Sequence, residues 1–91
     1  MKIEFAPDKD AVNQAKHEVT LAFGAQVLAD TERLDVIDVR FDYDEERIVS
    51  YGMVQERIWV CVFTRRGDTV RVISVRKANE RETQLYHDTP R

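Results

Sequence analysis

The chain has one cysteine, two prolines and three glycines among its 91 residues. A single thiol, Cys61, excludes an internal disulfide framework and a multi-cysteine zinc site. So little Pro and Gly, beside 43% hydrophobic and 34% charged residues, excludes a disordered or low-complexity chain. No apolar run approaches the roughly 20 residues that cross a membrane. The opening residues, Met1 to Asp8, contain no apolar signal core. Histidine is scarce too: only His17 and His87 are present, which disfavours a two-histidine mechanism. The expectation is one cytoplasmic domain spanning residues 1–91, with no membrane partner, metal or cofactor.

The net charge of −3 conceals a division. Residues 1–56 carry 13 acidic and 6 basic side chains, whereas residues 57–91 carry 4 and 8. Such asymmetry suits a polyanion at one surface and a basic partner at another. The plainer explanation, charge covering solvated faces, accounts for composition equally well.

Patterning predicts helices first. Pro7-Asp8 opens a short one, with Ala11, Val12 and Ala15 on one side. Thr20 is a suitable N-cap for a second helix over about 21–29, with Leu21, Ala25 and Leu28 aligned and Gly24 available for close packing. Strand-like runs follow at 34–39, 47–54, 57–64 and 69–77, with 41–46 as an acidic connection. Gln55-Glu56 and Arg66-Gly67-Asp68 are short enough for hairpins. Asn79 with Glu82 three residues on matches a capping box for a helix over 80–88, stopped by Pro90. Leu85 and Tyr86 are its main apolar groups. The expected fold class is α+β: two N-terminal helices, an antiparallel sheet of three to four strands, and a C-terminal helix, with the helices on one face.

The strand at 69–77, TVRVISVRK, carries Arg71, Arg76 and Lys77 within an apolar run. Regular alternation puts Val70, Val72, Ser74 and Arg76 on one side and Arg71, Ile73, Val75 and Lys77 on the other. Arginines at an exposed edge can lay their stems on apolar neighbours and keep their charge in water. They also bind phosphate through paired donors, and so can stabilise the extra charge of a phosphorane-like transition state.

Several of these residues together resemble a known family. Asn13, Lys16-His17 and Val19-Thr20 are followed by a small-residue helix, Glu46-Arg47 and Gly52. Arg71-Val72-Ile73-Ser74-Val75-Arg76-Lys77-Ala78, Glu82 and Tyr86 then follow in order. This pattern is similar to the BrnT toxins of bacterial type II toxin–antitoxin systems, from Phe5 to Tyr86. The chain departs from the family at Pro7-Asp8, where Trp-Asp is usual, and at Glu18, where Gly usually follows Lys-His. The resemblance implies a RelE-like fold and a ribonuclease that arrests translation and growth. It also implies a ribbon-helix-helix, BrnA-like antitoxin that neutralises the toxin. With that antitoxin the toxin would reach operator DNA, in an arrangement that allows a dimer of toxin–antitoxin pairs.

Metal-independent RNA cleavage needs a base for the 2′-hydroxyl, cations for the phosphate and an acid for the leaving 5′-oxygen. Lys16, His17, Glu46 and Arg76 are the candidate catalytic residues. His17 joins two short helices and carries an imidazole, the side chain that ordinarily titrates near neutrality. Glu46 beside Arg47 suits a base or an orienting partner. Arg47, Arg71 and Lys77 are the RNA-phosphate candidates. Bland roles compete throughout: a helix-junction hydrogen bond for His17, a surface ion pair for Glu46, and capping for Glu82. Trp59 and Cys61 alternate with Phe63 and are expected in the core rather than in stacking or nucleophilic roles. Asp35, Asp38, Asp42 and Asp44 lack the spacing of a metal loop and are expected as solvated acids. A second function class is a non-catalytic module that binds an antitoxin-type partner in a DNA-bound repressor complex.

Overall fold

The computed structural model describes residues 1–39 and 45–91. Its elements are β1 (Lys2–Glu4), α1 (Pro7–His17), a 3-10 turn at Leu21–Phe23 and α2 (Gly24–Leu28). There follow β2 (Leu34–Ile37), β3 (Ile48–Val54), β4 (Arg57–Arg66), β5 (Thr69–Lys77) and α3 (Glu80–Asp88). The strands form one sheet in the order β1-β5-β4-β3-β2. From β2 to β5 it is the expected antiparallel meander, with the fourth strand at its edge. The fifth strand corrects the expectation of three or four antiparallel strands. β1 runs parallel to β5, with Lys2 opposite Thr69 and Glu4 opposite Arg71, so the sheet is mixed. Three residues are too few to show an alternating pattern in sequence.

The second expected helix is broken. A 3-10 turn leads into five α-helical residues, and Thr20 makes no side-chain cap. The Leu21 amide donates instead to the Asp10 carboxylate of α1, at 2.8 Å. Gly24 lies at the joint, where an added Cβ would stand 3.1 Å from Cys61 Sγ and 3.2 Å from Val72. The turn therefore rests directly on the sheet, the close packing foreseen for this glycine. Gly52 does the same from the strand side: a Cβ there would lie 2.3 Å from the Val27 carbonyl oxygen.

The helices occupy both faces, contrary to the one-faced arrangement expected. Leu21, Val27 and Leu28 pack with Cys61, Phe63, Val70, Val72 and Val75 into the main core, joined by Ile3, Phe5, Phe23 and Trp59. Tyr86 of α3 and Ala78 pack with Ile58 and Val60 on the opposite side, against Val49 and Tyr51. Leu85, the other apolar group of α3, is 43% exposed. α3 thus has one buried anchor, held at its start by the expected capping box of Asn79 and Glu82.

Asn13 joins α1 to the sheet. Its Nδ2 donates to the carbonyls of Val19 and Val75, both at 2.9 Å. Its Oδ1 accepts from the Val75 amide at 3.1 Å. β1 covers only Thr69 to Arg71 of β5, so the Asn13 amide substitutes for a neighbouring strand at Val75.

Candidate functional site

One irregularity decides which basic side chains of β5 act together. Val62 pairs with Ser74, but the next residue, Phe63, pairs with Val72, so Ile73 is an extra residue on β5. A bulge of this kind inverts the alternation beyond it. Regular alternation separated Arg71 from Arg76; the bulge reverses that. Arg71 lies opposite Thr64, Ser74 opposite Val62 and Arg76 opposite Val60, all on the face that carries α3. Val70, Val72 and Val75 turn into the main core. Lys77 lies opposite Trp59, on the other face from Arg71 and Arg76.

A groove of about 550 Å³ crosses this face, lined by Val36, Ile37, Val49, Val62, Ser74 and Arg76 among others. Val36 and Ile37, at the β2 edge, are 43% and 52% exposed. The cations on this face have carboxylate partners, two of them from distant parts of the chain. Arg76 makes a forked pair with Glu82, Nη1 to Oε1 at 2.8 Å and Nη2 to Oε2 at 2.7 Å. Chiefly through that pair, the Glu82 carboxyl is held below its ordinary pKa. Arg71 Nη1 donates to Glu4, which parallel pairing places directly opposite it. Arg66, also on this face, donates to Glu45 at 3.0 and 3.4 Å. The Arg66 hydrogen bonds hold the Glu45 carboxyl low against the opposing effect of desolvation, and the charges of Arg66, Arg47 and Arg71 add to them.

The expected residues therefore divide. Arg71 and Arg76 share a face, and the charge of Arg47 acts on the Glu45 carboxylate that pairs with Arg66. Glu46 is exposed, and its backbone carbonyl accepts from the Thr64 hydroxyl at 2.7 Å. Lys16, exposed, and His17, half-buried, end α1. Neither belongs to the arginine–carboxylate pairs of this face. His87 is exposed on α3. Asp42 and Asp44, and most of the acidic connection at 41–46, lie outside the described residues.

Sequence reasoning missed Glu4, Glu45 and Arg66, and it gave Glu82 only a capping role. Glu4 was invisible because β1 was. For Arg66, its place just before the Gly67 turn was an available signal. Cys61 and Phe63 lie in the core, as expected, and Trp59 is half-buried against it. Trp59 packs against Phe23 with ring centroids 4.7 Å apart, and burial pushes the Cys61 thiol up to about 12, which removes it as a nucleophile.

A second polar cluster closes the other end of α3. Tyr86 Oη donates to Asp30, whose Oδ2 also accepts from the Met53 amide at 2.8 Å. Arg91 lies over the Tyr86 ring, 4.4 Å from its centroid.

A family model described as the ribonuclease toxin BrnT of type II toxin–antitoxin systems matches residues 5–82. No curated protein matches the chain. The match runs from Phe5 to the first turn of α3, and so includes the Arg66–Glu45 and Arg76–Glu82 pairs and Arg71, but not Glu4 of β1.

Proposed function

This chain belongs to the BrnT family of ribonuclease toxins of type II toxin–antitoxin systems, and from that premise we propose that it is a metal-independent endoribonuclease whose RNA backbone lies along the Arg71–Ser74–Arg76 face. The carrying observation is the bulge at Ile73. It sets two arginines and a hydroxyl on one side of one strand, beside a groove. Permanently charged guanidinium groups with fixed donors offset the charge that builds on a phosphate as the 2′-oxygen attacks. Arg66, paired with the exposed Glu45, and Arg47, just before β3, extend the cationic track in this scheme. Lys77, on the opposite face, takes no part in this track unless the RNA wraps the sheet edge.

Proton transfer is assigned to the candidates already named: Glu46 at the acidic margin, and Lys16 with His17 at the end of α1. Membership in the family brings an antitoxin as partner. In the proposed scheme this partner has a ribbon-helix-helix domain, carries the pair to operator DNA and pairs with a second copy of the complex. No helix among the described residues is long and apolar enough to cross a membrane, which accords with action on cytoplasmic RNA. The fold proposed is RelE-like.

The test is cleavage of a labelled RNA by purified protein in EDTA, with Arg71→Ala and Arg76→Lys beside wild type. Wild-type cleavage that survives EDTA and falls at least tenfold in both variants supports the assignment. Cleavage abolished by EDTA refutes metal independence, and full activity in both folded variants refutes the arginine face. A protein that binds antitoxin but cleaves no RNA, free or in a translation extract, is the non-catalytic module instead.

A further inference from the structure

Glu82 has two sets of partners. Its Oε1 accepts from the Asn79 amide at 3.0 Å while its own amide donates to Asn79 Oδ1 at 2.8 Å, which closes the capping box. The same carboxylate receives both terminal nitrogens of Arg76. Arg76 Nη1 also donates to the Lys77 carbonyl at 3.3 Å. The Glu82 side chain is 16% exposed, against 42% for the Glu4 carboxylate that pairs with Arg71. A carboxylate that can be displaced by phosphate should be held by one exposed contact, as Glu4 is. Because Glu82 Oε1 is shared by Arg76 and the Asn79 amide, a Glu82 that swings away from Arg76 also gives up its half of the capping box.

We propose that Glu82 is a positioning residue for Arg76: it fixes the guanidinium beside Ser74 so that RNA phosphate meets an arginine already in place. This rests on the reading of the Arg71–Ser74–Arg76 face as the RNA site. A free arginine loses substantial rotamer freedom when it binds, and small misplacements of a charge-stabilising group cost large factors in rate. Preorganisation of Arg76 by a helix cap removes that loss before substrate arrives.

Glu82→Gln separates the two roles, because glutamine also serves at this capping position but offers no charged fork. The experiment is single-turnover cleavage of a labelled messenger RNA in a cell-free translation extract. Rising protein concentrations separate the limiting rate from half-saturation, for wild type, Glu82→Gln, Arg76→Ala and the double variant. The expected result is a limiting rate lowered about 10- to 100-fold by Glu82→Gln, with half-saturation and thermal midpoint little changed. In the Arg76→Ala background the same change should alter the rate less than about twofold. Equal losses in both backgrounds overturn positioning through Arg76. A rate equal to or above wild type overturns it as well, and an increase makes Glu82 a displaceable phosphate mimic. Absence of cleavage by folded wild type sinks the ribonuclease reading itself, and this inference with it.

Discussion

Replacing Asn13 with alanine should be among the costliest single changes in the molecule. The side chain is 4% exposed and makes three hydrogen bonds, two of them to Val75, which is fully buried. Alanine would orphan the amide and carbonyl of Val75, at about 1–3 kcal/mol each. The Val19 carbonyl is half-buried and can recover part of its bond from water. Alanine returns about 0.5 kcal/mol in helix propensity. The net loss is about 2–4 kcal/mol, from a total on the order of 5–10 kcal/mol for a chain of this length. The thermal midpoint should fall by about 10–25 °C. Urea unfolding should show a lower midpoint at an unchanged slope, and hydrogen exchange of the Val75 amide should accelerate. Asn13→Asp should be no better than alanine: it can still accept from Val75 but cannot donate to either carbonyl. A loss below about 0.5 kcal/mol, or unchanged exchange at Val75, would refute the idea that this amide substitutes for a missing strand.

Glu18 ends α1 with φ of 59°, in the left-handed region, where the family usually has Gly. Glu18→Gly should therefore raise stability by about 0.5–1 kcal/mol, measured by urea unfolding, relief of strain outweighing the added freedom of the unfolded chain. Gly52→Ala should lower stability by at least about 2 kcal/mol and perturb signals at Val27, because its Cβ meets a backbone oxygen that cannot swing aside. Burial, then the hydrogen bond and charge of Asp30, push the Tyr86 hydroxyl up to about 12, above the ordinary value near 10. A raised folded-state pKa means stability that is complete below about pH 10 and lost as pH rises towards 12. Unfolding free energies from pH 9 to 12 should fall more steeply for wild type than for Tyr86→Phe, and parallel curves would count against the Asp30–Tyr86 bond.

What was legible in the sequence was what repeats or caps. The strands of the meander carry long apolar alternation, and β5 emerged with its limits as read. α3 announced itself through Asn79 and Glu82, a local signal in which both partners lie within one turn. The 3-10 turn was not legible, because Leu21 is held by Asp10 from another helix and Thr20, the obvious cap, makes no side-chain bond. β1 was not legible because its three residues gain their conformation from β5 alone. Arg76 shares a side with Ser74 and lies on the other side from Lys77, as read, but the side of Arg71 relative to them was wrong for one reason: a single bulged residue changes parity, and Ile73 looks like any other apolar strand residue. The candidate list named Arg71 and Arg76, but neither carboxylate partnership was read from the sequence.

Those carboxylates explain how an acidic chain can gather arginines along one strand. Arg71 meets Glu4 from the first strand, Arg66 meets Glu45 from the connection before β3, and Arg76 meets Glu82 from the last helix. Each partner comes from a different element: the Arg71–Glu4 and Arg66–Glu45 pairs form only when distant segments meet in the fold, whereas Arg76 and Glu82 are six residues apart. They are not equivalent. Both members of the Arg66–Glu45 pair are about half exposed, and so solvated a contact is weak enough for a polyanion to exchange. The Arg71–Glu4 pair has a better-shielded arginine but only one recorded contact. The Arg76–Glu82 pair is forked, shielded and tied to a helix cap, so it should persist when a phosphate arrives. A track of exchangeable arginines leading to one fixed arginine is an arrangement that admits RNA along its length and holds one phosphate still.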